Sequence, residues 1–267
     1  METALPQSFN PAPLRAVLAR EVRGSVTSRY FQVFCGLALA GGIAAIAFAE
    51  EGSTATLFLL QLALYFVSLF ALLLGVNSAR AESHEWPLLF AQPVPRSAFV
   101  IGKFLALSLI FATALILLFL PALISPARSF QLLTLYLFTL ELTAVFVALG
   151  LVAGFLAREQ VQGLILAVAA WLFLLVGFDL VALFGAQWPL LQKVPDFWVG
   201  LVMLNPLDAF RIQALFAMEQ IPAEAANKTP LAAWWLAHAG MWFSLLCPAW
   251  ISALLFVTTR RLARWED

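Results

Sequence analysis

Six long apolar blocks, separated by shorter polar stretches, dominate the pattern of the chain. They cover residues 30–49, 55–76, 99–124, 130–156, 161–184 and 231–257. Each block is long enough to cross a hydrocarbon layer about 30 Å thick as a helix. Unpaired backbone groups are costly in hydrocarbon, and the blocks lack the alternation of barrel strands, so the pattern predicts helices. The predicted fold class is an all-α polytopic membrane protein with six transmembrane helices.

Two connections between the predicted spans are longer than the others. One is the inner loop, residues 77–98, and the other is the outer hairpin, residues 185–230, which contains a shorter apolar block at 197–218. The Asn205-Pro206 pair interrupts that block, so a continuous span is unfavourable and we expect a re-entrant or interfacial helical hairpin. Counts of five or seven spans are the alternatives.

The segment before the first span, residues 1–29, has the pattern of an amphipathic helix. Apolar positions recur there at helical spacing, with basic residues among them: Leu14, Val17, Leu18, Val22 and Val26, with Arg15, Arg20 and Arg23. We expect this helix to lie on the inner leaflet. The segment does not resemble a cleavable signal peptide, so we expect it to be retained. A transmembrane domain at 30–257 and a cytoplasmic tail at 258–267 complete the expected organisation.

The composition excludes a soluble globular protein. Apolar residues make up 63% of the chain, against about 45–50% in a typical soluble domain. Charged residues make up 11%, against about 25%. The formal net charge is zero, so the charge balance gives no reason to expect a nucleic-acid partner.

The basic residues near the span ends predict the orientation. One face of the membrane would hold Arg15, Arg20, Arg23, Arg29, Arg80, Arg96, Lys103, Arg158, Arg260, Arg261 and Arg264, and the other Arg128, Lys193, Arg211 and Lys228. By the positive-inside rule the first face is cytoplasmic, so we expect a multi-pass protein of the inner membrane with both termini in the cytoplasm.

No catalytic or metal-binding constellation is recognisable in the sequence. The soft side chains are scattered: Cys35, Cys247, Met203, Met218 and Met241. A copper path would be expected to use clustered thiolates and thioethers. There is no phosphate-binding loop, because Gly102-Lys103 lacks both the upstream glycine and the following hydroxyl. We therefore expect no metal site, no cofactor and no enzymatic activity in this chain.

Two acidic residues fall inside predicted spans. Glu141 lies about 16 Å into the fourth span at 1.5 Å per residue, and Asp179 lies near the outer end of the fifth. Near the bilayer centre a carboxylate costs about 2.5–3.5 kcal/mol, so each acid should face protein and find a partner. Arg211 is a candidate partner for either acid if its helix enters the membrane. The pair would be either a polar lock that rearranges or a static contact that orders helices.

The interruption in the outer hairpin has the chemistry of a helix start. Asn205 is a suitable N-cap, Pro206 suits the first helical turn, and Asp208 can return a hydrogen bond to the cap. Arg211 follows Asp208 by three residues, so the two can pair on one helix face. Tryptophans on both sides of this motif fit an interfacial aromatic belt: Trp188, Trp198, Trp234, Trp235 and Trp242.

The inner loop carries a cluster of charged residues followed by a proline-rich return. Its candidate coupling residues are Arg80, Glu82, His84, Glu85 and Arg96. A short charged helix with a rigid return would present a small docking surface to another protein. The alternative is a solvated turn with ordinary inner-face charges.

The inner loop resembles the coupling loop of ABC-2 type permeases. Glu82 matches the acidic position of that family, Pro93 and Arg96 match its Pro-x-x-Arg element, and Gly102 and Lys103 match the pair at the start of the next span. The resemblance implies a homodimer of six-helix subunits that rests on two ATPase subunits, which would bind ATP and Mg and receive this loop.

The chain departs from the ABC-2 pattern at His84, Glu85 and Trp86, where many relatives have a Gly-Thr-Leu run, so the docking contacts would differ in detail. The hairpin motif, Asn-Pro-x-Asp-x-x-Arg at 205–211, follows a fifth span that contains Phe178-Asp179-Leu180. In this it resembles the permease subunits of nitrous oxide reductase maturation (Nos) transporters.

The Nos resemblance implies a function in which ATPase movement crosses the membrane to a periplasmic copper-handling partner. The outer hairpin, with Asn205, Pro206, Asp208 and Arg211, would contact that partner or form an outer gate. One alternative is an ABC-2 exporter of a lipid, drug or saccharide. The other is a secondary carrier driven by proton binding at Glu141 or Asp179.

Overall fold

The computed structural model describes residues 12–47, 52–81, 95–124, 129–185, 187, 195–217 and 229–263. Apart from short turns, these residues are helical, and none of them is in a strand. The apolar blocks form helices because only internal hydrogen bonding satisfies the backbone inside hydrocarbon. The predicted all-α class is confirmed.

Among the described residues, six helices are long and apolar enough to cross a membrane, or seven if the bent pair between the fifth and sixth is counted as one span. We number them spans 1 to 6: Arg29–Ala47, Thr54–Ala81, Arg96–Ile124, Gln131–Leu156, Gln160–Gly185 and Ala239–Ala263. The helices that contain spans 2 and 4 begin slightly earlier, at Gly52 and Ser129. The other helices of the described residues are the N-terminal helix Ala12–Val26, the hairpin helices Pro195–Leu204 and Pro206–Ala217, and a short helix Pro230–Ala237.

The helix bounds differ most from the sequence prediction beside the inner loop and in the last span, which also ends later, at Ala263 rather than residue 257. The helices on both sides of the inner loop extend into it, ending at Ala81 and beginning again at Arg96. The last span, expected from residue 231, begins at Ala239 because the chain leaves helical geometry at His238. The Thr229 hydroxyl caps the short helix before that break by accepting a hydrogen bond from the Ala232 N–H at 3.2 Å.

The spans alternate in direction, which gives the bundle two distinct ends. The N-terminal helix, both flanks of the inner loop and the end of span 6 lie at one end, the inner-loop end. The hairpin helices lie toward the other, the hairpin end. The predicted cytoplasmic location of the inner-loop end remains an expectation from the arginine distribution.

Spans 2 and 4 approach each other closely because both carry glycine at the contact. A Cβ atom on Gly150 would lie 2.2 Å from the Leu72 carbonyl oxygen, and one on Gly75 would lie 2.7 Å from the Val147 carbonyl oxygen. Small residues of this kind allow helix backbones to meet in membranes. These two spans, with span 3, contain the most enclosed part of the bundle.

Two spans contain a π-helical segment, Leu62–Val67 in span 2 and Phe173–Gly177 in span 5. Residues that flank the two segments are linked, because the Trp171 indole N–H donates to the Ser68 hydroxyl oxygen at 2.9 Å. π-Helical turns are rare and frequently occur at functional sites. The segment in span 5 marks the position where the hairpin contacts the bundle.

The N-terminal helix packs against span 3 with a face that differs from the predicted one. Val17 and Val22 are partly buried as expected, but Val26 is exposed. The buried positions are Glu21 and Ser25, which are polar. The reason is that span 3 offers a buried cation at this position, so the helix is held by a polar contact as well as by its apolar side chains.

Candidate functional site

Both described flanks of the inner loop are tied to the ends of other helices by arginine side chains. Arg80, at the end of span 2, donates from Nη1 to the Ala157 carbonyl at 3.1 Å and from Nη2 to the Arg158 carbonyl at 2.5 Å. These carbonyls follow the end of span 4, where a helix leaves its last acceptors without internal partners. Arg80 therefore joins the loop to the turn between spans 4 and 5.

Arg96 makes the equivalent contact on the other flank. Its Nη1 donates to the Leu262 carbonyl at 2.9 Å, in the last turn of span 6. A cation at a helix C-terminus also interacts favourably with the helix dipole. The sequence predicts Arg80 and Arg96 as contacts for an ATPase, whereas the structure places both guanidinium groups on internal carbonyls. The predicted coupling residues Glu82, His84 and Glu85, with Pro93, lie outside the described residues.

A buried ion pair fixes the N-terminal helix beside the inner loop. Lys103 Nζ lies 2.6 Å from Glu21 Oε2, and it also donates to the Ser78 carbonyl at 3.1 Å. The Ser78 hydroxyl donates to the second Glu21 oxygen. Lys103 is 1% exposed, so its charge is removed from solvent and depends on this pairing.

The sequence analysis treats Lys103 as an inner-face cation and as part of the ABC-2 resemblance, and it misses Glu21 as the partner of Lys103. A usable signal was present, because Glu21 lies four residues after Val17 and three after Leu18, on the apolar face of the predicted helix. A lone acidic residue on such a face indicates a buried partner.

The hairpin helices meet at Asn205, whose side chain makes three contacts. Its Oδ1 accepts from the Leu207 N–H at 3.2 Å, which is the predicted cap of the second hairpin helix. Its Nδ2 donates to the Leu174 carbonyl at 2.7 Å and to Asp208 Oδ2 at 2.5 Å. The predicted hydrogen bond between Asp208 and the cap is therefore present, and it is made to the side-chain amide of Asn205. Leu174 belongs to the π-helical segment of span 5, so the apex is bonded to that segment.

Arg211 lies between two acids at the hairpin. Its guanidinium is 3.6 Å from Asp208 Oδ1 and 3.8 Å from Asp179 Oδ2. Asp208 is buried and Arg211 is partly accessible, whereas Asp179 is exposed, contrary to the expectation that it faces protein. Of the two acids that were candidate partners of Arg211, the structure brings Asp179 to it. Glu141 instead accepts from the Ser244 hydroxyl, at 3.0 Å and 3.2 Å to its two oxygens.

The hairpin enters the bundle and returns to the same end. Its first helix begins near the end of span 5, where the Trp198 ring lies against Gly185. Its apex at Asn205 is bonded to Leu174, about 16 Å back along span 5 at 1.5 Å per residue. The second helix then brings Gln213 beside Gly240, near the start of span 6. The axes of the two helices differ by 98°, and by length and composition the pair is either a broken span or a re-entrant hairpin. The contacts of its two outer parts with Gly185 and Gly240 favour the re-entrant form, one of the two predicted forms.

Span 6 holds the apex through two indole groups. The Trp242 N–H donates to the Met203 carbonyl at 2.8 Å, and the Trp250 N–H donates to the Leu204 carbonyl at 3.0 Å. Both carbonyls belong to the last turn of the first hairpin helix and lack helical partners. Trp242 was expected to act as an interfacial anchor, and the structure gives it this internal contact.

Within the described ranges, no group of three or more His, Cys, Asp or Glu side chains is arranged to hold a metal ion. Compared with known proteins, the sequence matches no family model and no curated protein. The described helices are those of a multi-pass membrane protein with six spans and a bent helix pair between spans 5 and 6.

Proposed function

We propose that the chain is the transmembrane subunit of an ATP-driven ABC-2 type transporter. It would act as a homodimer with two separate ATPase subunits bound at the inner loop. The observation that carries this proposal is that span 6 contacts both the flank of the inner loop and the apex of the hairpin. Leu262 accepts from Arg96 at the inner loop, and Trp250 donates to Leu204 at the hairpin apex.

The contacts around the inner loop supply a mechanical reason. Arg80 bonds to the turn after span 4, Arg96 bonds to span 6, and Lys103 bonds to Glu21 of the N-terminal helix. A displacement of the loop by a partner would therefore move several helices together. Elements with two discrete arrangements, joined by such packed contacts, are the physical basis of coupling between distant sites.

The finer proposal is that this movement reaches a periplasmic copper-handling partner, as the Nos resemblance implies. The hairpin supports it, because its apex is bonded to span 5 through Asn205 and to span 6 through Trp242 and Trp250. A change in the tilt of either span would change the position of the hairpin. The polar group formed by Asp179, Arg211 and Asp208 would rearrange in the same step.

Copurification tests the proposal. The full-length chain, tagged and expressed at its natural level, should bring down an ATPase chain, and altering Glu82 and His84 should reduce that association. An Arg96→Gln variant should retain the ATPase but lose transport-coupled activity, because it breaks the contact with span 6. Arg23→Gln, on an exposed position of the N-terminal helix, is the matched control. Full activity of the purified chain without any ATPase would overturn the proposal.

A proton-driven secondary carrier is the second candidate, and one observation favours it. Glu141 lies near the middle of span 4 and accepts from Ser244, a neutral hydroxyl, so a proton could occupy the carboxyl group. Copurification of an ATPase rejects this carrier. A bound β-rich copper protein then favours the Nos function, and its absence from intact membranes that retain the ATPase favours an ABC-2 exporter.

A further inference from the structure

An apolar cavity lies between spans 1, 2 and 3, and the residues of the inner-loop and hairpin contacts do not line it. Its volume is about 450 Å³, within the range of about 300–1,000 Å³ typical of ligand pockets. Its wall includes Phe34 of span 1, Phe70 of span 2 and Phe111 of span 3. Phe34 packs against both other rings, with centroids 5.6 Å and 4.9 Å away, so the wall is preformed.

The polar groups of the cavity are confined to one end. Arg29 and Tyr30, the first residues of span 1, line it there. The other lining side chains are apolar, so water inside would lack hydrogen-bond partners. Tyr30 is 58% exposed and Val33 is 53% exposed, which shows that the cavity opens toward the outside of the bundle beside span 1.

The position of Arg29 matches that of a lipid headgroup. It is the first residue of a membrane-crossing helix, where the hydrocarbon layer gives way to the headgroup layer. Among the described residues, no carboxylate forms an ion pair with it. A guanidinium can bind a phosphate through two parallel hydrogen bonds, and it prefers a ligand that carries net negative charge.

We propose that this cavity binds one acyl chain of an anionic phospholipid, whose phosphate is held by Arg29. The chain contributes an apolar slot that leads from the headgroup layer toward the bundle interior, and a cation at the mouth of that slot. A phospholipid has the same order of groups, a charged head followed by a long apolar tail. The site would hold a resident lipid beside the N-terminal end of span 1.

Native mass spectrometry of the full-length protein in detergent tests the proposal. The protein is titrated with phosphatidylglycerol or with phosphatidylcholine, and the bound fraction gives an apparent Kd. We expect phosphatidylglycerol to bind more tightly. Arg29→Gln should weaken its binding by about fivefold to tenfold, Arg29→Lys should restore part of the loss, and Arg23→Gln, which does not line the cavity, should change it less than twofold.

A second variant tests the slot itself. Val33→Trp should fill the cavity and abolish tight phosphatidylglycerol binding while the protein remains monodisperse and helical by circular dichroism. Equal losses in Arg29→Gln and Arg23→Gln would overturn the proposal in favour of general surface attraction. Equal binding of the two lipids, unchanged by Arg29→Gln, would also overturn it. A Val33→Trp variant that loses a dimer and no lipid would assign the cavity to a second copy of the chain.

Discussion

Breaking the buried Glu21–Lys103 pair should destabilise the protein strongly, whereas removing both charges should not. The Lys103 Nζ is 2.6 Å from Glu21 Oε2, and the two side chains are 1% and 9% exposed. Lys103→Met leaves the Glu21 carboxylate buried with the Ser78 hydroxyl as its remaining described donor. Breaking a buried pair in this way costs about 3–5 kcal/mol of the free energy of unfolding.

The double variant separates this explanation from simple packing. Replacing a buried ion pair by apolar residues of similar volume is often neutral or stabilising. Glu21→Leu with Lys103→Met should therefore cost less than either single change, about 1–2 kcal/mol, since no charge is left buried and only Ser78 loses partners: Glu21 at its hydroxyl and Lys103 at its carbonyl. With each single variant at about 3–5 kcal/mol and the double variant at about 1–2 kcal/mol, the coupling energy from the double-mutant cycle should be at least about 4 kcal/mol.

The assay is unfolding of the full-length protein in detergent micelles, followed by circular dichroism. Arg23→Met is the control, because Arg23 occupies an exposed position of the same helix and should change stability by no more than about 0.5 kcal/mol. Single variants that each cost less than 1 kcal/mol, with an additive double variant, would refute the conclusion that the pair holds the N-terminal helix.

Three further predictions concern the bundle and the hairpin. Gly150→Ala should lower stability by about 1–3 kcal/mol, measured by thermal unfolding, because the added methyl group overlaps the opposing backbone. Gly36→Ala is the control and should not lower stability, because the space around Gly36 is open. Asn205→Ala removes a cap and a bond to span 5, so hydrogen exchange of the second hairpin helix should become faster while the rest of the bundle keeps its protection. Glu141→Gln should preserve assembly, since its amide oxygen still accepts from Ser244; an assembled but transport-inactive protein would indicate a functional role, and full transport activity would indicate a static contact.

The features that could be predicted from the sequence depend on local properties of the chain. A span is defined by the length of one apolar run, and the helix start at Asn205 is defined by the chemistry of four consecutive residues. The same holds for the interruption at Pro206, which divides the shorter apolar block into two helices whose axes differ by 98°.

The contacts that were missed depend on acceptors that leave no mark in the sequence. Arg80, Arg96 and Trp250 all donate to backbone carbonyls, which every residue carries. Only the packing of helices decides which carbonyls are left without partners near a given donor. Charge alone also could not identify the partner of Glu141. Its carboxylate accepts from the Ser244 hydroxyl, because Arg211 lies on the second hairpin helix, which runs back toward the hairpin end.

The position of Pro248 bears on how span 6 could transmit movement. A proline inside a helix removes one backbone hydrogen bond and permits a bend at that point. Trp250 and Leu262 both follow Pro248, so the helix between the hairpin apex and the inner loop contains no proline and is about 18 Å long at 1.5 Å per residue. Trp242 precedes Pro248, so it contacts the same apex from the part of span 6 before the proline. A tilt of the Trp250–Leu262 segment would therefore shift the apex relative to Trp242, and the hairpin would turn about its two indole contacts.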